Sequence, residues 1–172
     1  MMTEPLDNNE KKLTGILGTG NLLLGDEGFG VHVVHHMEKN YLFPEEVKVI
    51  DCGTAGIYMA PFLEECDPIY VVDVVAVEGE PGSIHHFHID EIRSGTISSK
   101  MSPHQLGLVE MLDICRLRDV GPESVEFFCV VPEQLDTGVT LSPVVEARVS
   151  QVADQLVARL EDDGLSVKKR QE

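Results

Sequence analysis

The strongest constraint on this chain is a set of short apolar runs that alternate with helical stretches. The runs fall at 13–19, 47–51, 69–75 and 125–131. The third is apolar on both sides of Asp73, the pattern of a strand covered on both faces of a sheet. Between the runs, helical patterns occupy 28–39, 58–65, 102–117 and 143–160. In the second of these, Pro61 is tolerated only in the first turn. The last carries Val145, Val149, Val152, Leu156 and Leu160 at three- to four-residue spacing, one apolar helical face. Residues 83–89 alternate like an additional strand at an edge. The order predicts a three-layer α/β/α fold with a twisted, largely parallel central sheet plus an edge strand, joined by right-handed crossovers.

At 172 residues the chain is expected to form one domain. That domain should span 13–162, between a polar, frayed opening segment at 1–12 and a polar C-terminal tail at 163–172. Internal repeats and linkers are absent from the sequence.

Charge narrows the function. Thirteen Lys and Arg against thirty Asp and Glu leave a formal net charge of −17. Such a surface repels nucleic-acid phosphates and anionic lipids. A cation, a polar peptide or a basic partner surface suits it better. The basic run Lys168-Lys169-Arg170 reads as part of the solvated tail. The most apolar stretch, 69–77, is interrupted by Asp73 and is far shorter than the roughly 20 residues of a membrane span. The first twelve residues include Pro5, Asp7, Asn8 and Glu10 and lack a signal peptide's apolar stretch, so a cytoplasmic location is expected. Cys52, Cys66, Cys115 and Cys129 form no Cys-x-x-Cys pair and are expected to be free thiols. Nothing in the pattern demands assembly, and a monomer is expected.

Ligands of open α/β sheets bind beyond the carboxyl ends of the strands. Three places qualify: the loop from Gly20 to Gly28, the segment Asp51-Cys52-Gly53-Thr54, and Asp73. The first invites a dinucleotide reading, but Leu23 occupies the position of the required third glycine. Asp26 stands where a P-loop needs lysine. Two carboxylates at a helix N-terminus repel a phosphate and suit a cation. Asp26 is expected to cap the helix through its side chain, leaving Glu27 to face the crevice. Asp73 is costly in a central strand unless it is paired or metal-bound. Ser102, Pro103 and Gln105 mark a capped helix start that places His104 in the first turn. The positive end of the helix there favours the neutral, ligand-competent imidazole. Together Glu27, Asp73 and His104 would form a two-oxygen, one-nitrogen set with open positions, suited to borderline divalent metals such as nickel. His32 and His36, one turn apart with His35 adjacent, and the group His85, His86 and His88 read as surface histidines. A serine-hydrolase Gly-x-Ser-x-Gly elbow is missing, and no cysteine has an adjacent activating His.

Four motifs in order carry a family resemblance. They are Gly18-x-Gly20-Asn21-x-Leu23-x-x-Asp26-Glu27-Gly28-x-Gly30, then Asp51-x-Gly53-Thr54-x-Gly56, then Asp73 in its apolar strand, then Ser102-Pro103-His104-Gln105-Leu106-Gly107. Each is moderately specific alone; jointly they are highly specific. Over 13–160 the chain resembles the nickel–iron hydrogenase maturation endopeptidases, which trim the C-terminus of the hydrogenase large-subunit precursor. The resemblance implies that Glu27, Asp73 and His104 contact nickel carried by the precursor, so that metal insertion is checked before cleavage. Asn21, Asp26, Asp51, Gly53, Thr54 and Gln105 would support these loops. The expected nickel comes with the substrate, and the enzyme needs no permanent catalytic metal. Two chemistries fit: Glu27 or Asp73 acts as general base on a water, or substrate-bound nickel polarises the scissile carbonyl. The family has been grouped with aspartic-type proteases, although paired Asp-Thr-Gly loops are absent here. Cys52 stands where many relatives carry Gly, either as a tolerated small residue or as a soft metal contact. A non-catalytic nickel-sensing chaperone of the same precursor predicts the same contact set, whereas a nucleotide-binding oxidoreductase would bind NAD or ATP.

Overall fold

Strand β1 (Leu13–Thr19) lies between β3 (Val47–Gly53) and β4 (Cys66–Val74) in a five-stranded sheet of order β3-β1-β4-β6-β5. The computed structural model describes residues 12–97 and 102–171. β6 (Val125–Val130) continues the parallel set beside β4, and β5 (Ile84–His88) closes one edge antiparallel to β6. The expected mostly parallel sheet with one edge strand is therefore observed.

Side-chain alternation along the strands divides the core in two. Ile16, Tyr70, Val72 and Phe128 face α1 (Phe29–Asn40) and α5 (Pro143–Asp162), where they meet Phe29, Val33, Val145 and Leu156. Leu17, Ile69, Val71 and Phe127 face α2 (Ala60–Glu65) and α4 (Pro103–Leu117), packing on Phe62, Leu63, Leu108 and Leu112. All four cysteines are buried free thiols. Asp73 continues the odd-numbered series Ile69, Val71, so it points toward α4.

Two local features differ from the expectation. A five-residue helix, α3 (Ile89–Arg93), follows the edge strand, capped by His88 and Glu91. It is too short to show helical periodicity. The C-terminal segment is held in place rather than free in solvent. β7 (Lys168–Lys169) pairs antiparallel with β2 (Tyr41–Leu42), and Arg170 N–H donates to Asn40 O at 2.8 Å. This pairing uses backbone groups while the lysine side chains stay exposed, so no apolar pattern announced it. Segment 1–12, apart from Lys12, and residues 98–101 of the polar loop lie outside the described residues. Among those described, no helix is long and apolar enough to cross a membrane.

Candidate active site at the carboxyl edge of the sheet

Two glycines of the first motif let the loop after β1 fold tightly onto the sheet. A Cβ at Gly20, whose φ is +141°, would lie 1.9 Å from the Glu27 carbonyl oxygen. A Cβ at Gly30 would lie 2.1 Å from Val72 O and 2.3 Å from Thr19 O. The start of α1 therefore rests on the ends of β1 and β4, and Glu27 stands over the strand ends. Asn21 braces the turn, its Oδ1 accepting from Leu23 N–H at 3.0 Å.

Asp26 does not cap the helix. A 3-10 turn (Gly25–Gly28) precedes α1, and neither element has a side-chain cap. Asp26 is fully buried, and its oxygens accept from the N–H groups of Glu133, Gln134 and Ser142 and from Ser142 Oγ. It ties the loop after β6 and the start of α5 to the first loop. A buried carboxylate is tolerable only when so satisfied. Those partners lie more than a hundred residues away, out of reach of a local capping rule.

Asp73 is 1% exposed. It accepts hydrogen bonds from Thr19 Oγ1 and, at 2.7 Å, from Val74 N–H. His104 Nε2 approaches its Oδ2 at 3.2 Å, and Ser102 Oγ lies 2.9 Å from His104 Nδ1. Burial pulls the His104 pKa down, but the Asp73 hydrogen bond and charge, with the Glu27 charge, outweigh it and hold it above the usual histidine value. The shift runs against the neutral ring expected from the helix end: the two carboxylates move His104 toward its protonated form.

Glu27 is half-buried and shares a pocket of about 360 Å³ with Asn21, Leu24, Thr54 and His104. Gln105 secures the far wall, its Nε2 donating to Val74 O at 2.7 Å. Asp51 turns elsewhere. Its Oδ1 accepts from Gly53 N–H at 2.9 Å, and its Oδ2 lies 2.8 Å from His35 Nε2 on α1. The Cys52 thiol is buried beneath the site, and burial foremost pushes its pKa up to about 11. That protonated, covered thiol is a poor soft ligand.

The structure thus brings Asp73 and His104 into contact and Glu27 into the same pocket. Among the described residues, however, no three His, Cys, Asp or Glu side chains are grouped as a ready-made metal cage. That holds also for His32, His36 and Glu146, which line a second cavity of about 440 Å³ between α1 and α5. His86 Nε2 lies 3.0 Å from Gln155 Oε1, and His88 caps α3. Sequence reasoning missed Thr19, and it assigned Ser102 only a capping role. Thr19 had one available signal, a hydroxyl ending an otherwise apolar strand next to Gly20.

An α/β/α protein with a carboxylate–imidazole pair and a second carboxylate at its carboxyl edge has the elements of a hydrolytic or metal-contacting site. Comparison with known proteins specifies the class. The family model for hydrogenase maturation protease, HycI, matches residues 31–159. The hydrogenase 2 maturation protease of Escherichia coli K12 is 32% identical over 157 residues, covering 91% of this chain and 95% of that one. The hydrogenase expression/formation protein HupD of Bradyrhizobium diazoefficiens is 34% identical, covering 90% and 81%. The solved structure of the hydrogenase maturating endopeptidase HybD from E. coli superposes with a TM-score of 0.85 at 31% identity, covering 92% and 98%. This chain belongs to the hydrogenase maturation protease family and is accordingly a peptidase.

Proposed function

We propose that this protein removes a short C-terminal peptide from the nickel-loaded large-subunit precursor of a nickel–iron hydrogenase, with substrate-bound nickel as the recognition element. The observation that carries the reading is the Asp73–His104 pair at a pocket that Glu27 also lines. The 3.2 Å between His104 Nε2 and Asp73 Oδ2 is close to the ~3 Å that separates two adjacent donors on an ion with bonds of about 2.1 Å. Glu27 lines the same pocket and would supply the third contact. A set that is incomplete by itself suits an ion already held by the substrate. It reads occupancy without retaining the metal.

The proton on His104 gives this contact a pH dependence. An imidazolium cannot ligate, so engagement of the nickel releases a proton and weakens as pH falls. Of the two carboxylates, Glu27 is the better general base. It faces the pocket, whereas the Asp73 oxygens already accept from Thr19, Val74 N–H and His104. Glu27 then takes the proton of the attacking water and passes it to the leaving amine.

Intact mass of the large-subunit precursor, with and without this protein and with and without nickel, tests the reading. Loss of a short C-terminal peptide only from the nickel-loaded sample is expected. An unchanged mass in that sample would overturn the protease assignment for this substrate. Equal trimming without nickel would remove the metal as recognition element.

A further inference from the structure

Exposed apolar side chains gather around the pocket mouth. Tyr58 is 78% exposed, Val139 68% and Leu23 64%, with Leu22, Ile57 and Leu106 also open to solvent. Backbone contacts join them into two banks. Gly138 N–H donates to Leu23 O at 2.9 Å, which sets Val139 beside the first loop. The turn Gly56–Tyr58 lies against the first turn of α4, where a Cβ at Gly56 would be 3.0 Å from His104 O. One bank is therefore Leu22 and Leu23, extended by Val139 toward the α1–α5 cavity that Val139 lines; the other is Ile57, Tyr58 and Leu106. The pocket lies between them. Leu42, Ile114 and Leu117, also exposed, belong to the opposite edge of the sheet.

The charge around these banks has one sign. Segments 20–28, 51–59, 74–83, 102–106 and 131–142, which line the carboxyl edge, contain no Lys or Arg. Besides the buried Asp26 they carry Glu27, Asp51, Glu78, Glu80, Glu133 and Asp136. Arg148 reaches this edge from α5 and donates to Gly82 O at 2.9 Å, and Lys100 lies outside the described residues. Basic residues instead occupy the last turns of α1, α4 and α5, as Lys39, Arg116 and Arg159. There they complement the helix dipoles at the far edge.

We propose that the two apolar banks and their acidic surround dock a segment of the large-subunit precursor in which basic side chains stand among apolar ones. The proposal rests on the protease reading above and adds the chemistry of the partner's contact. Apolar surface clustered at a pocket mouth marks an interaction site, and a one-signed field selects a partner of the other sign and speeds its approach. A second copy of this chain would set acidic rim against acidic rim, and an anionic membrane or nucleic acid would meet the same repulsion.

Direct binding to the nickel-loaded precursor, followed by surface plasmon resonance, tests this independently of cleavage. The variant Leu23→Ser with Tyr58→Ser replaces no pocket-lining residue and keeps the Leu23 backbone N–H that bonds Asn21. It should bind at least about tenfold more weakly, raise KM, keep kcat at saturating precursor and keep the wild-type melting temperature. The variant Glu133→Gln with Asp136→Asn should associate about threefold more slowly at low salt and at the wild-type rate near 1 M salt, where screening is complete within about 3 Å. Binding and KM within twofold of wild type in both variants, with precursor still trimmed, would overturn the docking proposal and leave the protease reading intact. If the wild type neither binds nor trims the precursor, both readings fall. A wild-type dimer in sedimentation that these substitutions dissolve would make the occupant a second copy and likewise overturn the proposal.

Discussion

Gln105 spans two elements: its Oε1 accepts from Ser102 N–H at 2.8 Å while its Nε2 donates to the carbonyl of Val74 at 2.7 Å. The first bond completes the cap of α4. The second fastens that cap to the strand end that carries Asp73. One side chain thus sets both the start of the helix and its distance from the sheet, and His104 lies with Pro103 between the cap partners Ser102 and Gln105.

This dual role separates by substitution. Gln105→Glu keeps an acceptor for Ser102 N–H but loses the donor to Val74 O. It should cost about 1–2 kcal/mol of stability and slow precursor processing about tenfold. Gln105→Ala loses the cap bond as well and should cost about 1 kcal/mol more. Urea midpoints and processing rates check both. Wild-type processing by Gln105→Glu would show that the tether to Val74 is not needed for activity.

The raised pKa of His104 gives a pH signature. A group whose folded pKa exceeds its unfolded value stabilises the fold fully below the unfolded value, about 6.5 for His. That contribution is lost as pH rises through the higher folded value. His104→Gln should therefore narrow its stability gap to wild type as pH increases through that window. Asp73→Asn removes the main raising influence, leaving burial to dominate, so the ring should titrate at lower pH by NMR. An unchanged ring titration would mean that Asp73 does not hold the proton.

Asp26 carries a stability prediction rather than a catalytic one. Asp26→Ala strands four buried or half-buried donors, from Glu133, Gln134 and Ser142. A loss of about 3–5 kcal/mol is expected, at the upper end for point substitutions. Denaturant titration with an unchanged m value measures it. A loss below about 1 kcal/mol would contradict the anchor role.

Thr19 acts through Asp73. Thr19→Val removes the hydroxyl but retains the shape and should reduce processing about tenfold, with His104 titrating at an altered pH. Thr19→Ser restores the hydroxyl and should recover both. Failure of the serine variant to recover either would assign Thr19 to packing alone.

Glu27 differs from these, being half-buried and free of structural hydrogen bonds through its carboxylate among the described residues. Glu27→Gln should leave stability within about 0.5 kcal/mol of wild type and stop processing. Circular dichroism with intact-mass readout of the precursor separates the two effects, and full processing would remove Glu27 from the chemistry.

Much of the architecture was legible in the residues. Apolar runs interrupted by helical spacing defined the layers, because burial on both faces of a parallel sheet leaves no polar positions to spare. Asp73 stood out for the same reason. The cap at Ser102 and Gln105 is a local pattern, and the structure contains it as read. The short α3 and the β2–β7 pair were not legible. The first is shorter than the period that would reveal it, and the second relies on backbone groups common to all residues.

Sequence by itself determined the alternation of strands and helices, the tight glycine loop over the sheet edge and the family to which the chain belongs. Tertiary structure alone decided what the acids do. Asp26 and Glu27 are adjacent in sequence, yet one is buried as an anchor for β6 and α5 and the other lines the pocket. The proton on His104 depends on Asp73, 31 positions away, and on Glu27 across the pocket. Local patterns report propensity and periodicity. A carboxylate's role depends on desolvation and on the donors that surround it, and those are set by packing between segments far apart in the chain.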